Sequence, residues 1–332
     1  MSALEPPPRN AAPEAGADKS PGANDAPGAG DVPAAGPLDW FIFAIIVAVG
    51  GSSFAMIRGA VETVPPAVVS VGRLWVGAIF LIAVMAQAGR RFPPLTRNGA
   101  LASEWRWIIA LSLVGYVIPF LIFPWAQQFI ASGLAGVYMA FMPIWTVLLA
   151  YFFADEALTL KKSVGFLLGF VGVLVLMGPD ILTGLRTSGF LAQVSLLVAT
   201  LGYAAAAVLT RKAPDIRPRV FSAGALLCAA IFTTPILFVT DLDVDAWTLS
   251  GVLNVIGLGL GPTGLAGILL IIMIRRVGAG FVGLANYLTP VWAVLMGAAI
   301  FGEPLTARLI GALALILAGV AIAQHRNGSR SR

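Results

Sequence analysis

The sequence predicts an all-α integral membrane protein of ten transmembrane helices, arranged as two inverted five-helix repeats. Three observations carry that prediction: composition, an internal repeat and the sidedness of the loop charges. The 332 residues are 58% hydrophobic and 11% charged, with a mean hydropathy of +0.90. A soluble domain is typically about 25% charged, so most of this chain must face lipid or its own packed helices. The stretch Gly133–Thr159, GLAGVYMAFMPIWTVLLAYFFADEALT, occurs again at Gly280–Thr306 as GFVGLANYLTPVWAVLMGAAIFGEPLT. An offset of 147 residues aligns Gly133 with Gly280, Gly136 with Gly283, Pro143 with Pro290, Trp145 with Trp292 and Glu156 with Glu303. Shared composition can match Leu and Val by chance. It does not readily match Pro, Trp and an acid in one register.

Taken in order, residues 1–37 are rich in Pro, Ala and Gly and carry almost no large apolar side chain. Such a segment cannot bury enough surface to offset its ordering entropy and reads as a disordered cytoplasmic tail. No apolar core follows a basic start, so it is not a signal peptide. From Trp40 onward, apolar runs of roughly 18 to 27 residues alternate with short polar breaks, each run long enough to cross about 30 Å of hydrocarbon. Helices are expected near 39–57, 66–88, 106–126, 131–153 and 162–178, the first repeat occupying 38–178. The second repeat, 188–324, holds helices near 188–210, 220–240, 248–274, 279–301 and 307–324, and a basic tail follows at 325–332. Five crossings separate the two copies of the opening motif. An odd number makes them antiparallel across the membrane, the inverted-repeat architecture of many secondary transporters.

The loop charges count the helices independently. With both termini cytoplasmic, 17 of the 21 Lys and Arg fall on the inner side, among them Arg90, Arg91, Lys161, Lys162, Arg211, Lys212, Arg275 and Arg276. The outer side holds only Arg58, Arg186 and Arg308, and displays Asp241, Asp243 and Asp245. A shift by one helix would scramble this bias. The single Cys228 and single His325 leave no ligand set for zinc, haem or an iron–sulfur centre, so neither cofactor nor metal is expected. The net charge of +5 reports topology rather than nucleic-acid binding.

These residues resemble the EamA-type, ten-helix branch of the drug/metabolite transporter superfamily. The resemblance rests on PIWTVLLAYFFADEALT and PVWAVLMGAAIFGEPLT with the small-residue stretches before them, and on GFVGVLVLMG and LILAGVAIA after them. It spans about residues 39–324 and implies a multi-pass inner-membrane carrier. Members move amino acids, nucleosides, organic anions, sugar conjugates or cationic drugs, and the resemblance implies export. One departure is that the first copy reads Ala154-Asp155-Glu156, where the family commonly has Gly or Leu-Gly before the Glu.

No Asp or Glu falls inside an expected helix core, which disfavours coupling through a buried acid and favours downhill transport or exchange. Arg73 is the one basic residue inside an apolar helix. It serves either as a hook for a substrate carboxylate or phosphate, or as a residue that reaches a headgroup or neighbouring carbonyls. Further substrate-binding candidates at midplane depth are Ser53, Tyr116, Trp125, Tyr138, Tyr203, Asn254, Asn286 and Tyr287. The Asn residues serve equally well as interhelical hydrogen-bond partners, and any one Tyr or Trp as a packing or interfacial residue. Pro119, Pro143, Pro262 and Pro290 each remove a backbone donor at depth and are candidate hinges. Gly165, Gly169 and Gly172, with Gly311, Ala314, Ala318 and Gly319, form small-residue faces suited to packing within a protomer or a homodimer. The expected activity is alternating-access transport of a small metabolite, an amino acid or related carboxylate. Efflux of hydrophobic cations is the alternative within transport, served by cation–π contact. A structural or lipid-translocating membrane protein is the alternative outside it. An enzyme would need a nucleophile–base pair, a metal cluster or paired carboxylates at depth, and the chain offers none.

Overall fold

The computed structural model describes residues 35–97, 99–153, 159–178 and 188–324. The two tails and the acidic stretch Ala154–Glu156 lie outside the described residues, apart from the junction at 35–37. What is described is helical, with one exception. A two-stranded antiparallel hairpin pairs Thr96 with Leu101 and Arg97 with Ala100. It turns at Gly99, whose φ of 78° suits a residue without a Cβ.

The helices are α1 Pro37–Val61, α2 Pro66–Gln87, α3 Ser103–Ala126, α4 Ser132–Phe153 and α5 Leu160–Met177. Then come α6 Ser188–Lys212 and α7 Pro218–Val239, whose last turns, Thr234–Val239, tighten to 3-10 geometry. The eighth, α8, runs as Leu249–Leu258, Gly259–Leu265 and Ala266–Val282, and is followed by α9 Ala285–Phe301 and α10 Ala307–Gln324. Among the described residues, eight helices are long and apolar enough to cross a membrane, and α9 and α10 are shorter apolar helices.

Two departures from the expected boundaries have physical causes. The break expected at 275–278 does not occur there. Helix continues to Val282, and the chain turns at Gly283 and Leu284. Nothing in 275–282 is Pro, and the segment is held against the start of α1 by the ion pair of Arg276 with Asp39. The expected α4 is interrupted at Ala140 and Phe141, one turn before Pro143.

Both α3 and α8 contain π-helical segments, Leu113–Val117 and Gly259–Leu265. Applying the 147-residue offset carries 113–117 onto 260–264, within the second segment. Each lies at a proline, Pro119 two residues beyond the first and Pro262 inside the second. The missing N–H and the ring's bulk favour a wider turn, and such turns recur at functional sites.

In the bundle α1 packs on α9, α2 on α7, α3 on α6, α4 on α9 and α5 on α10. The α4–α9 crossing brings the repeated stretches together, with Gly136 against Ala293. On α5, Gly165 meets Gly319 and Ala323, and Gly172 meets Ile316, so this small-residue face is used within one chain. The matching face of α10 is Ala312, Ile316, Gly319 and Ala323. The expected set differs: Ala314 and Ala318 are exposed, and nothing lies near Gly311. Their register is about a third of a turn away from the buried stripe. The first turns of α5 and α10 are capped alike, by Thr159 accepting from the Lys162 N–H and Thr306 from the Leu309 N–H.

Candidate functional site

A cavity of about 950 Å³ lies inside the bundle, walled by α1, α2, α3, α4, α6, α7, α8 and α9. The packed pair α5 and α10 contributes no lining residue. At one end the cavity reaches the α6–α7 turn, Ala213–Ile216 and Pro218. Phe92 and Trp105, flanking the α2–α3 loop, cluster with Ala213 and Ile216 there, so both of these basic loops share that end.

The other end is joined by hydrogen bonds. Arg58 donates to the Gln127 carbonyl oxygen at 2.8 Å, and the Thr63 and Thr248 hydroxyls lie 2.9 Å apart. The Glu303 carboxylate accepts from the Ser132 N–H and hydroxyl at 2.6 and 2.7 Å, and from the Gly133 N–H at 2.8 Å. The cavity is therefore walled off beneath the α3–α4 and α9–α10 turns.

Arg73 is buried on α2, and its side chain enters the cavity wall. Its Nε and one terminal nitrogen donate to Thr263 Oγ1 at 3.3 and 3.1 Å. The guanidinium carbon sits 3.9 Å from the centroid of the Phe120 ring, a cation–π stack. Two of the five N–H donors are thus engaged by Thr263, and among the described residues no carboxylate pairs with Arg73.

Thr263 reaches Arg73 because the π segment of α8 lies tight on α2. A Cβ on Gly77 would come within 2.7 Å of Thr263 Cγ2, so only glycine permits that approach. Phe120 is held by a substitution of donors. Pro124, four residues on, has no N–H for the Phe120 carbonyl. Ser70 Oγ instead lies 2.7 Å from the carbonyl oxygens of both Phe120 and Pro66 and shares its proton between them. One proline thus frees a carbonyl, and one serine from α2 uses it to fix the ring under the arginine.

Aromatic rings continue the wall. Tyr116 and Phe120 have centroids 5.5 Å apart, Phe120 and Tyr203 6.5 Å, Phe123 and Tyr203 6.1 Å, and Phe54 and Phe123 5.6 Å. Ser53 lines the cavity with its hydroxyl bonded to the Gly50 carbonyl, and Asn286 and Thr289 line it from α9. The arrangement joins one fixed cation with spare donors to a broad apolar and aromatic surface. That combination is suited to an organic anion.

Of the candidate residues read from sequence, the cavity gathers Arg73, Ser53, Tyr116, Tyr203 and Asn286, with the prolines Pro262 and Pro290. Four others stand away from its wall. Trp125 is 37% exposed at the outer surface of α3 and packs edge-on to Phe129. Tyr138 is fully buried and donates to Gln193 Oε1 at 2.7 Å, tying α4 to α6. Asn254 packs on α1 at Gly59, and Tyr287 packs against the main apolar core. The side toward which a helix turns decides each of these cases. Pro119 packs on Gly202 of α6, and Pro143 is buried just after the α4 break.

Thr263, Phe120 and Glu303 escaped the sequence reading as site residues. The signal for Thr263 was its place beside Pro262 in the run GLGLGPTG.

The model of the EamA-like transporter family matches residues 38–178 and again 190–323. "Uncharacterized transporter YoaV" of Bacillus subtilis (strain 168) is 24% identical over 282 residues, covering 83% of this chain and 92% of that protein. "Uncharacterized inner membrane transporter YedA" of Escherichia coli (strain K12) is 26% identical over 275 residues, covering 81% and 85%. A solved crystal structure superposes with a TM-score of 0.60 at 22% identity, covering 86% of this chain and 96% of its own, a likeness of fold.

Proposed function

The chain belongs to the EamA-like transporter family, and on that premise we propose that it carries a small organic carboxylate, an amino acid or a relative of one, across the inner membrane by alternating access. As a member it is a multi-pass membrane transporter and not an enzyme. Ten crossings in two inverted repeats, with both termini cytoplasmic, complete the reading. The antiparallel register of the repeated motif and the one-sided Lys and Arg support it.

One observation carries the substrate class. Arg73 is buried, aimed into a large cavity, and has donors left after Thr263 takes its share. A fixed fork of donors matches a carboxylate. With the cavity reaching the basic α6–α7 turn, the state is inward-facing in this topology. Export is the direction proposed, or exchange. Among the described lining residues the only carboxylate is Asp215, at the mouth, which supports a cycle without a buried titrating acid.

The rival is efflux of hydrophobic cations, favoured by the aromatic cluster around Tyr203. Arg73 at the centre of that cluster opposes it electrostatically. A lipid-translocating role is opposed by the polar lining at Ser53, Thr263 and Asn286.

The test is thermal stabilisation of the purified protein by a panel of carboxylates, amino acids, phosphates and quaternary amines. A ligand at a hundred times its dissociation constant stabilises the fold by about 2.7 kcal/mol. A carboxylate is expected to stabilise the wild type and not Arg73→Gln. Stabilisation by quaternary amines alone would overturn the substrate class.

A further inference from the structure

We infer that Glu303 is a gating residue, a latch that holds the end of the carrier opposite the cavity mouth shut by capping α4. The inference rests on the alternating-access reading above, and on geometry separate from the Arg73 site. Glu303 is not among the residues that line that cavity.

The latch is built from both repeated stretches. The helix α9 ends in a left-handed glycine cap, in which the Gly302 N–H donates to the Ala298 oxygen, and the Glu303 N–H donates to the Gly297 oxygen. Gly302, at φ 64°, takes the left-handed conformation that such a cap needs. The turn swings Glu303 back over its own helix and across to the first turn of α4. There the two carboxylate oxygens accept three hydrogen bonds, from the Ser132 N–H, the Ser132 hydroxyl and the Gly133 N–H, at 2.6 to 2.8 Å. Those two N–H groups are among the four that every helix start leaves without an internal partner, and the helix end itself favours a negative charge.

The fit is close on the side of the two glycines, while a small cavity of about 140 Å³ borders Glu303 on the side of Ala131, Leu134 and Pro304. A Cβ on Gly133 would meet Glu303 Oε2 at 3.0 Å, and one on Gly297 would meet the same carboxylate and the Ser132 hydroxyl. Ser132 is itself fully buried. A charged side chain thus replaces water at a helix start that would otherwise be wet. Pulling α4 from α9 at this end returns both the carboxylate and the two N–H groups to water. The two arrangements are therefore both satisfied, as a gate that opens and closes in each cycle requires. Arg58 on Gln127, through one hydrogen bond, and Thr63 on Thr248, through two, hold the neighbouring turns at the same end without a carboxylate.

The experiment places spin labels on Gln128 and Thr306, both exposed and on the two turns the latch joins, in a full-length Cys228→Ser chain. Distances are measured in detergent or nanodiscs with no substrate present. The expected wild-type distribution is dominated by one short distance. Glu303→Ala is expected to raise the ratio of a longer-distance population roughly tenfold or more, since hydrogen bonds to a charged group are lost from the closed state alone. Ser132→Ala, which removes one of the three donors, shifts it in the same direction by less. Distributions for both variants that superimpose on the wild type, with thermal melting unchanged, would overturn the latch. If Glu303→Ala does not fold, Glu303→Gln and Ser132→Ala decide by the same measure. Because no substrate is used, a wrong substrate class leaves this result standing. A failed latch likewise leaves Arg73-dependent stabilisation standing.

Discussion

Arg73 and its supports show how three residues make one usable charge. Thr263 engages one edge of the guanidinium, Phe120 stacks on its face, and Ser70 fixes Phe120 through the carbonyl that Pro124 leaves free. Ser70→Ala should orphan that carbonyl and cost about 1–3 kcal/mol, read as a lowered Tm. An unchanged melt would mean that Pro66 alone accounts for the serine. Arg73→Lys keeps the charge and loses the fork, so carboxylate affinity should fall about tenfold, whereas Arg73→Gln should abolish the thermal shift. Titration of the ligand by thermal shift checks both. Arg73 was legible in the sequence because a lone cation in an apolar helix needs a reason. Its partners were not, since Thr263 lies 190 positions along the chain and only packing brings it near.

The helices carry predictions of their own. Gly169 faces Ile144 and Phe141 so closely that a larger side chain has no room, whereas Gly311 has open space around it. Gly169→Leu should therefore cost about 1–3 kcal/mol through overpacking, and Gly311→Leu should leave the Tm unchanged or raise it. Equal effects at both positions would contradict the close packing of α5 on α4 at Gly169 and the open space at Gly311. The π segments suggest a functional counterpart. Pro262→Ala restores a donor to the middle of α8 and favours a regular α-helix there. It should slow transport and weaken the carboxylate-induced thermal shift, since the π segment sets Thr263 against Arg73. Unchanged transport and an unchanged shift would show that the π turn has no part in the cycle. Helix existence and order were readable from hydropathy. The π turns, the α4 break and the buried side of α10 were not, because each depends on what the neighbouring helix presents.

At the scale of the molecule, the closed and open ends define a direction. A cysteine replacing Ser222, on the cavity wall near the α6–α7 turn, should react with an impermeant maleimide from the side bearing the basic loops and not from the other. Reaction from the opposite face would invert the topology. Length, apolar runs, loop charge and the repeat of Gly133–Thr159 in Gly280–Thr306 determined that the chain is a duplicated membrane carrier. They suffice because lipid imposes one rule along the whole chain, that every backbone polar group finds its partner within a helix. Only the tertiary structure decided that Tyr116, Tyr203 and Asn286 share a cavity with Arg73 while Trp125, Tyr138, Asn254 and Tyr287 do not. It alone joined Glu303 to Ser132 across 171 residues. Hydropathy measures how apolar a helix is, not how it is rotated about its axis, and that rotation is set by the close packing of side chains from distant helices.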